Sequence, residues 1–144
     1  MANKLTDIQK QFKELHSKMT KEGLAAFKEA TQELFNKYTN LEAFKWNQYT
    51  PSWNDGSPCV FSVNEDSLAL KLTLPKGKED WPDDYSQDED GFLEYEIPPE
   101  DEATRQEIYN LLGPDEMLEM IFGTNVEVTV TRKEITTASY DPGY

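Results

Sequence analysis

The sequence predicts an α+β fold: an N-terminal helical hairpin and further helices packed on a mainly antiparallel sheet, in a single domain over residues 1–144. Three observations carry that prediction. Apolar residues recur at helical spacing through the first 38 positions, the period shortens to two after Leu41, and helical and strand patterns then follow each other with Pro and Gly at the changes. At 144 residues the chain lies within the range of about 100–200 usual for one domain. It needs neither disulfide nor metal to hold a core, since roughly two-thirds of the unfolded surface is buried at this size.

The first stripe is Leu5, Ile8, Phe12, Leu15 and Met19; the second is Leu24, Phe27, Thr31, Leu34 and Tyr38, out of phase with the first. The jump falls at Thr20-Lys21-Glu22-Gly23, where Thr20 can cap a helix and Gly23 weakens one. Two helices are therefore expected, about 4–19 and 21–38, joined by a kink or short turn, with both stripes buried in the core. Phe44, Trp46 and Gln48 alternate with Lys45, Asn47 and Tyr49, which fits a strand. Cys59–Val63 and Leu68–Leu74 read as a hairpin turning at Asn64-Glu65-Asp66, with Leu68, Leu70, Leu72 and Leu74 on one face. Leu93, Tyr95 and Ile97 alternate with Glu94 and Glu96 as a further strand, closed by Pro98 and Pro99. Acidic residues 100–102 suit a helix N-terminus, and that helix should end at Gly113. Pro114 can open a short helix through Phe122, with Gly123 ending it. Val126, Val128 and Val130 mark a final strand that returns through Arg132-Lys133 to Ile135 and Thr137.

Charge is unevenly placed. Residues 1–48 carry a net +2, 49–78 are neutral, 79–102 hold twelve acids and no base, and 103–144 carry −4. A field of this sign repels nucleic acid, so no direct nucleic-acid binding is expected. The longest apolar runs fall far short of the roughly 20 residues of a membrane helix, and the N-terminus has no secretory apolar core. No membrane association is expected. The single cysteine, Cys59, cannot form an internal bridge and points to a reducing compartment.

Catalytic patterns are missing. The one histidine, His16, falls off its helix's apolar stripe, and Cys59 opens a predicted strand, where an inert buried thiol is the commoner role. The seven glycines form no phosphate-binding pattern, and one His with one Cys supports no transition-metal site. Asp84–Gly91 can be aligned to a calcium loop, but the alignment puts Ser86 at the first ligand position and Ile97 where a bidentate glutamate is needed. With 28 acids in the chain, close carboxylate pairs arise by chance and carry no specificity. The expectation is a protein that is not an enzyme and takes no cofactor.

Two segments stand above this background. Trp46 to Phe61 packs aromatics, two prolines and an Asn-Asp-Gly turn together, a composition suited to anchoring a partner, with Tyr49, Trp53, Asn54 and Asp55 as candidate contacts. The bland alternative places Trp46 and Tyr49 in the core and Trp53 over a sheet edge. The acidic stretch offers Asp83, Asp84, Asp88, Glu89 and Asp90. Its twelve acids in an extended chain would average about 6.6 Å apart at ~3.3 Å per residue, against about 3.4 Å between phosphates of one DNA strand. Nucleic-acid mimicry therefore needs the stretch to fold back or to recruit Asp115, Glu116 and Glu119; the alternative is a solvated loop anchored by Trp81, Tyr85 and Phe92.

The segment Trp46-x-Gln48-Tyr49-Thr50-Pro51-x-x-Asn54-Asp55-Gly56-x-Pro58-Cys59-x-Phe61 resembles a strand-and-loop pattern of small uncharacterised proteins of tailed bacteriophages, and Val126–Arg132 with Tyr140-Asp141 resembles the C-terminal part of the same family. Ser52-Trp53 departs from the aromatic pair expected after the proline. The resemblance implies an origin and no mechanism. With the missing catalytic residues, it leads to an acidic phage-type accessory protein in the cytoplasm of a bacterial host cell. Such a protein would bind a host or phage protein, the alternatives being a minor virion component or an enzyme of unrecognised type.

Overall fold

The computed structural model describes residues 4–51, 60–74, 77, 80–82 and 85–141. Among these residues eight elements follow in order: α1 (Lys4–Lys37), β1 (Leu41–Tyr49), β2 (Ser62–Leu72), a 3-10 turn (Pro99–Asp101), α2 (Glu102–Leu111), α3 (Asp115–Phe122), β3 (Val126–Thr131) and β4 (Ile135–Ser139). The strands form one antiparallel sheet in the order β2-β1-β3-β4. The chain is thus α+β, with helices on an antiparallel sheet.

The core lies between the helices and one sheet face. Alternation along β1 sends Phe44, Trp46 and Gln48 to that face, where they meet Leu68, Leu70 and Leu72 from β2 and Val128 and Val130 from β3. Phe27, Leu34 and Phe35 of α1, Ile108 of α2 and Leu118 of α3 close it from above. Trp46 is 1% exposed and packs edge-on to Phe122 at 5.9 Å, so it is a core residue. Gln48 is the polar centre of this core. It accepts from Trp46 Nε1 at 2.9 Å and donates to the Leu118 and Gly123 carbonyls at 2.9 and 2.7 Å, which ties β1 to the middle and the C-terminal end of α3.

The expected N-terminal hairpin is instead one continuous helix of 34 residues, about 50 Å long at 1.5 Å per residue. Thr20 does not cap a second helix; its hydroxyl donates to the His16 carbonyl at 2.8 Å, inside the same helix. Gly23 does not break α1 either. A Cβ there would sit 3.1 Å from Ile121 Cδ1, so the glycine lets α3 approach closely. The phase jump has another cause. The second stripe packs on the body, whereas Leu5, Ile8, Phe12, Leu15 and Met19 are 50–67% exposed. The two stripes point roughly a quarter turn apart, at about 3.6 residues per turn. The first stripe is therefore not core.

Two strand expectations are also corrected. Asn64-Glu65-Asp66 is not a turn between two strands but lies within β2, whose register against β1 slips between Ala69↔Lys45 and Asn64↔Asn47. Ser67 repairs the ladder there, its Oγ accepting from Asn47 N at 2.8 Å. The strand expected at Leu93–Ile97 shrinks to isolated bridges from Leu93 to Leu70 and Gln87. The later elements fall where Pro and Gly place them: α2 follows Pro98-Pro99, α3 opens after Pro114, and Gly123 ends α3 with φ 87°.

Candidate functional site

The second face of the sheet carries the chain's acidic surface. Ala43, Lys45, Asn47 and Tyr49 point to this face of β1 because Phe44, Trp46 and Gln48 point to the core. Beside them stand Ala69 on β2 and Glu127 and Thr129 on β3. Phe92 folds down from the acidic stretch and buries against Ala43 and Ala69 in a small second cluster. Leu93 next to it faces the main core and bonds β2, donating to Leu70 O at 2.7 Å and accepting from Leu70 N at 3.0 Å.

Asp88 fastens this loop. Its Oδ1 accepts from the backbone amides of Asp90 and Phe92, at 2.9 and 3.0 Å, and its Oδ2 accepts from Lys45 Nζ. Lys45 Nζ also lies 4.5 Å from the centre of the Phe92 ring. Burial opposes both charges. The Lys45 hydrogen bond and the two backbone amides nonetheless hold the Asp88 carboxyl below its usual pKa. In the same way Asp88, with Glu127 and Asp90 further off, holds the Lys45 ammonium above its own. Gly91 closes the turn at φ 87°, a left-handed conformation that a side chain would strain.

Around this clamp several acids are displayed at the surface. Glu89 and Asp90 are exposed on the turn above it, Glu96 is exposed further along the same segment, and Glu65 and Asp66 are exposed on β2. A shallow hollow on the sheet face is lined by Lys45, Asn47, Asp66, Glu94, Tyr95 and Glu127. Tyr95 is 69% exposed, and its carbonyl accepts from Arg105 Nη1 of α2 at 2.9 Å. That bond fixes the far end of the loop.

The structure therefore sorts the candidate residues into three groups. Asp88, Glu89 and Asp90 come together, but Asp88 belongs to the fold and only Glu89 and Asp90 are free to meet a partner. Tyr49 is half-buried at the end of β1, its ring 5.6 Å from Tyr140. Trp53, Asn54, Asp55, Asp83 and Asp84 lie outside the described residues, as does Cys59. Four surface residues escaped the sequence reading: Asp66, Glu94, Tyr95 and Glu127. Glu127 was within reach of it, because it faces away from the core between Val126 and Val128 on a strand the sequence marks clearly. The other three sit in segments whose local structure the sequence misassigned.

In the sheet Trp46 of β1 lies opposite Val128 of β3, and Gln48 opposite Val126. Tyr140 N donates to Asn125 O at 2.8 Å beside the Tyr49 ring, and Thr50 N donates to Asn125 Oδ1 at 3.3 Å. His16 is exposed on α1, stacked on Phe12 at 6.2 Å. Among the described residues, no three His, Cys, Asp or Glu side chains come together as a metal site, and no helix is long and apolar enough to cross a membrane. Comparison with known proteins finds no matching family profile, no matching curated protein and no matching solved structure.

Proposed function

We propose that this chain is a non-catalytic, phage-type accessory protein that acts by seating its acidic sheet face on a basic surface of a host protein in the bacterial cytoplasm. One observation carries the reading. The Asp88–Lys45 clamp and the Leu93–Leu70 pair hold the acidic loop against the sheet, so Glu89, Asp90, Glu94 and Glu96 are presented on a firm base. Holding like charges together in the free protein stores repulsion that a cationic partner relieves, and it spares the partner the entropy of ordering a loop. Tyr95, exposed among these acids, offers the aromatic anchor that charged rims usually surround. A basic face that normally holds nucleic acid is the natural counterpart, because it already complements a dense array of negative groups.

The test neutralises the displayed acids and leaves the clamp intact. A variant carrying Glu89→Gln, Asp90→Asn, Glu94→Gln and Glu96→Gln should fold normally and lose the proteins that the unaltered chain captures from bacterial lysate. The captured proteins should also elute as salt approaches about 1 M, where screening shortens to about 3 Å. Identical capture by the two proteins, or capture indifferent to salt, contradicts the proposal.

A further inference from the structure

We infer that residues 4–22 of α1 pair with the same segment of a second copy as a short parallel coiled coil. The segment stands clear of the body. Every residue from Lys4 to Met19 is exposed; α1 first meets the body near Gly23, and its buried residues begin at Phe27. A lone helix of this length is marginal in water, so an exposed apolar stripe along it calls for a cover.

The narrow stripe suits another helix as its cover. Leu5, Ile8, Phe12, Leu15 and Met19 are separated by three, four, three and four residues, the a and d positions of a heptad. The body-facing part of α1 repeats the 3,4 spacing but widens it with Phe35 beside Leu34, whereas residues 4–22 keep a strict a/d stripe, the width of a seam against one helix. The seam ends where the body begins, since the next d position is Glu22.

Self-pairing is favoured over a foreign helix by the residues flanking the seam. Charge-matched heteromeric coils are specified by charges at the e and g positions. Here those positions hold Gln9, His16 and Gly23 on one side and Lys4, Gln11 and Lys18 on the other. In a parallel pair Lys4 meets Gln9, Gln11 meets His16 and Lys18 meets Gly23, so no like charges oppose each other. Lys10, Lys13 and Lys21 lie outside the seam. In-register parallel pairing stacks all five apolar layers, whereas the antiparallel alignment that sets Phe12 against Leu15 puts Leu5 against Glu22. The five side chains expose on the order of 500 Å² per copy, about 1,000 Å² for the pair, which reaches the lower limit for a specific interface. The inference does not depend on the acidic-face reading, and each can fail alone.

Sedimentation equilibrium of the full chain at about 10 μM, suited to a micromolar dissociation constant, should return twice the 16.6 kDa chain mass. Phe12→Glu should weaken the dimer by about a hundredfold or more, as for a central aromatic contact. Its near-ultraviolet dichroism should be unchanged, because Trp46 reports the body. In a Cys59→Ser background, Ile8→Cys should oxidise to a disulfide-linked dimer, because parallel pairing sets position 8 against itself and antiparallel pairing sets it against Met19. A monomer at this concentration, a dimer indifferent to Phe12→Glu, or a dimer that Ile8→Cys does not cross-link would each overturn the inference. So would a monomer whose seam captures a different protein.

Discussion

Asp88 commits both carboxylate oxygens to the fold: Lys45 occupies one, and the amides of Asp90 and Phe92 share the other. Its pKa is depressed on folding, so its contribution is complete above the ordinary aspartate range and is lost as pH falls through the lower folded value. Lys45 works at the opposite end: its raised pKa gives a contribution present below the ordinary lysine value and lost as pH rises past the folded one. Asp88→Asn should therefore cost about 1–2 kcal/mol near neutral pH, as for a partly exposed charged hydrogen bond. The difference from the unaltered chain should shrink as the solution is acidified. Urea melts of the two proteins at pH 7 and pH 3 measure this, and a difference that persists in acid would show that the clamp is not electrostatic. Counting charge along the chain finds the acidic stretch but cannot separate Asp88 from Glu89 and Asp90. The distinguishing partner lies 43 residues away on another strand, and only β1's alternation marks Lys45 as facing away from the core.

At the scale of elements, α1 shows what periodicity reports and what it leaves open. Both apolar stripes are legible in the sequence, and so is their phase difference. Periodicity gives the direction of an apolar face but says nothing of what covers it. A change of partner along one helix therefore looks the same as a turn between two. Gly23 has the composition of a helix breaker, although its role is close contact with Ile121. Gly→Ala within a helix normally stabilises by about 1 kcal/mol. Here the added methyl meets Ile121 Cδ1, so Gly23→Ala alone should gain markedly less, while the same change in an Ile121→Val background should recover the full amount. Chemical denaturation of the four proteins in this cycle tests it, and equal gains in both backgrounds would remove the packing role. The elements bounded by Pro and Gly were legible because those residues act through local backbone geometry. Residues 64–66 were not, because Ser67 supplies Asn47 with the bond that continuous pairing would have made.

For the whole molecule, the distribution of charge and apolar surface matters more than its total. A lysine-bearing helix with an apolar seam extends from a body whose far sheet face is acidic, so the two contact surfaces differ in chemistry and respond to different conditions. Salt should weaken contacts at the acidic face and leave the apolar seam largely unaffected. The sequence disclosed both compositions, but it could not show that the acidic loop folds back over the sheet. That placement depends on Phe92 reaching Ala43 of β1 and Ala69 of β2, small residues distant in the chain.

The central claim is that these acids stand on a fixed face instead of a solvated loop, and hydrogen exchange at single amides tests it most directly. The amides of Phe92 and Leu93, bonded to Asp88 Oδ1 and Leu70 O, should be protected. Leu93 should approach the level of the β2 amides, and Asp88→Asn should release Phe92 first. Exchange of both amides at the rate of an unstructured peptide in the unaltered chain would contradict the account.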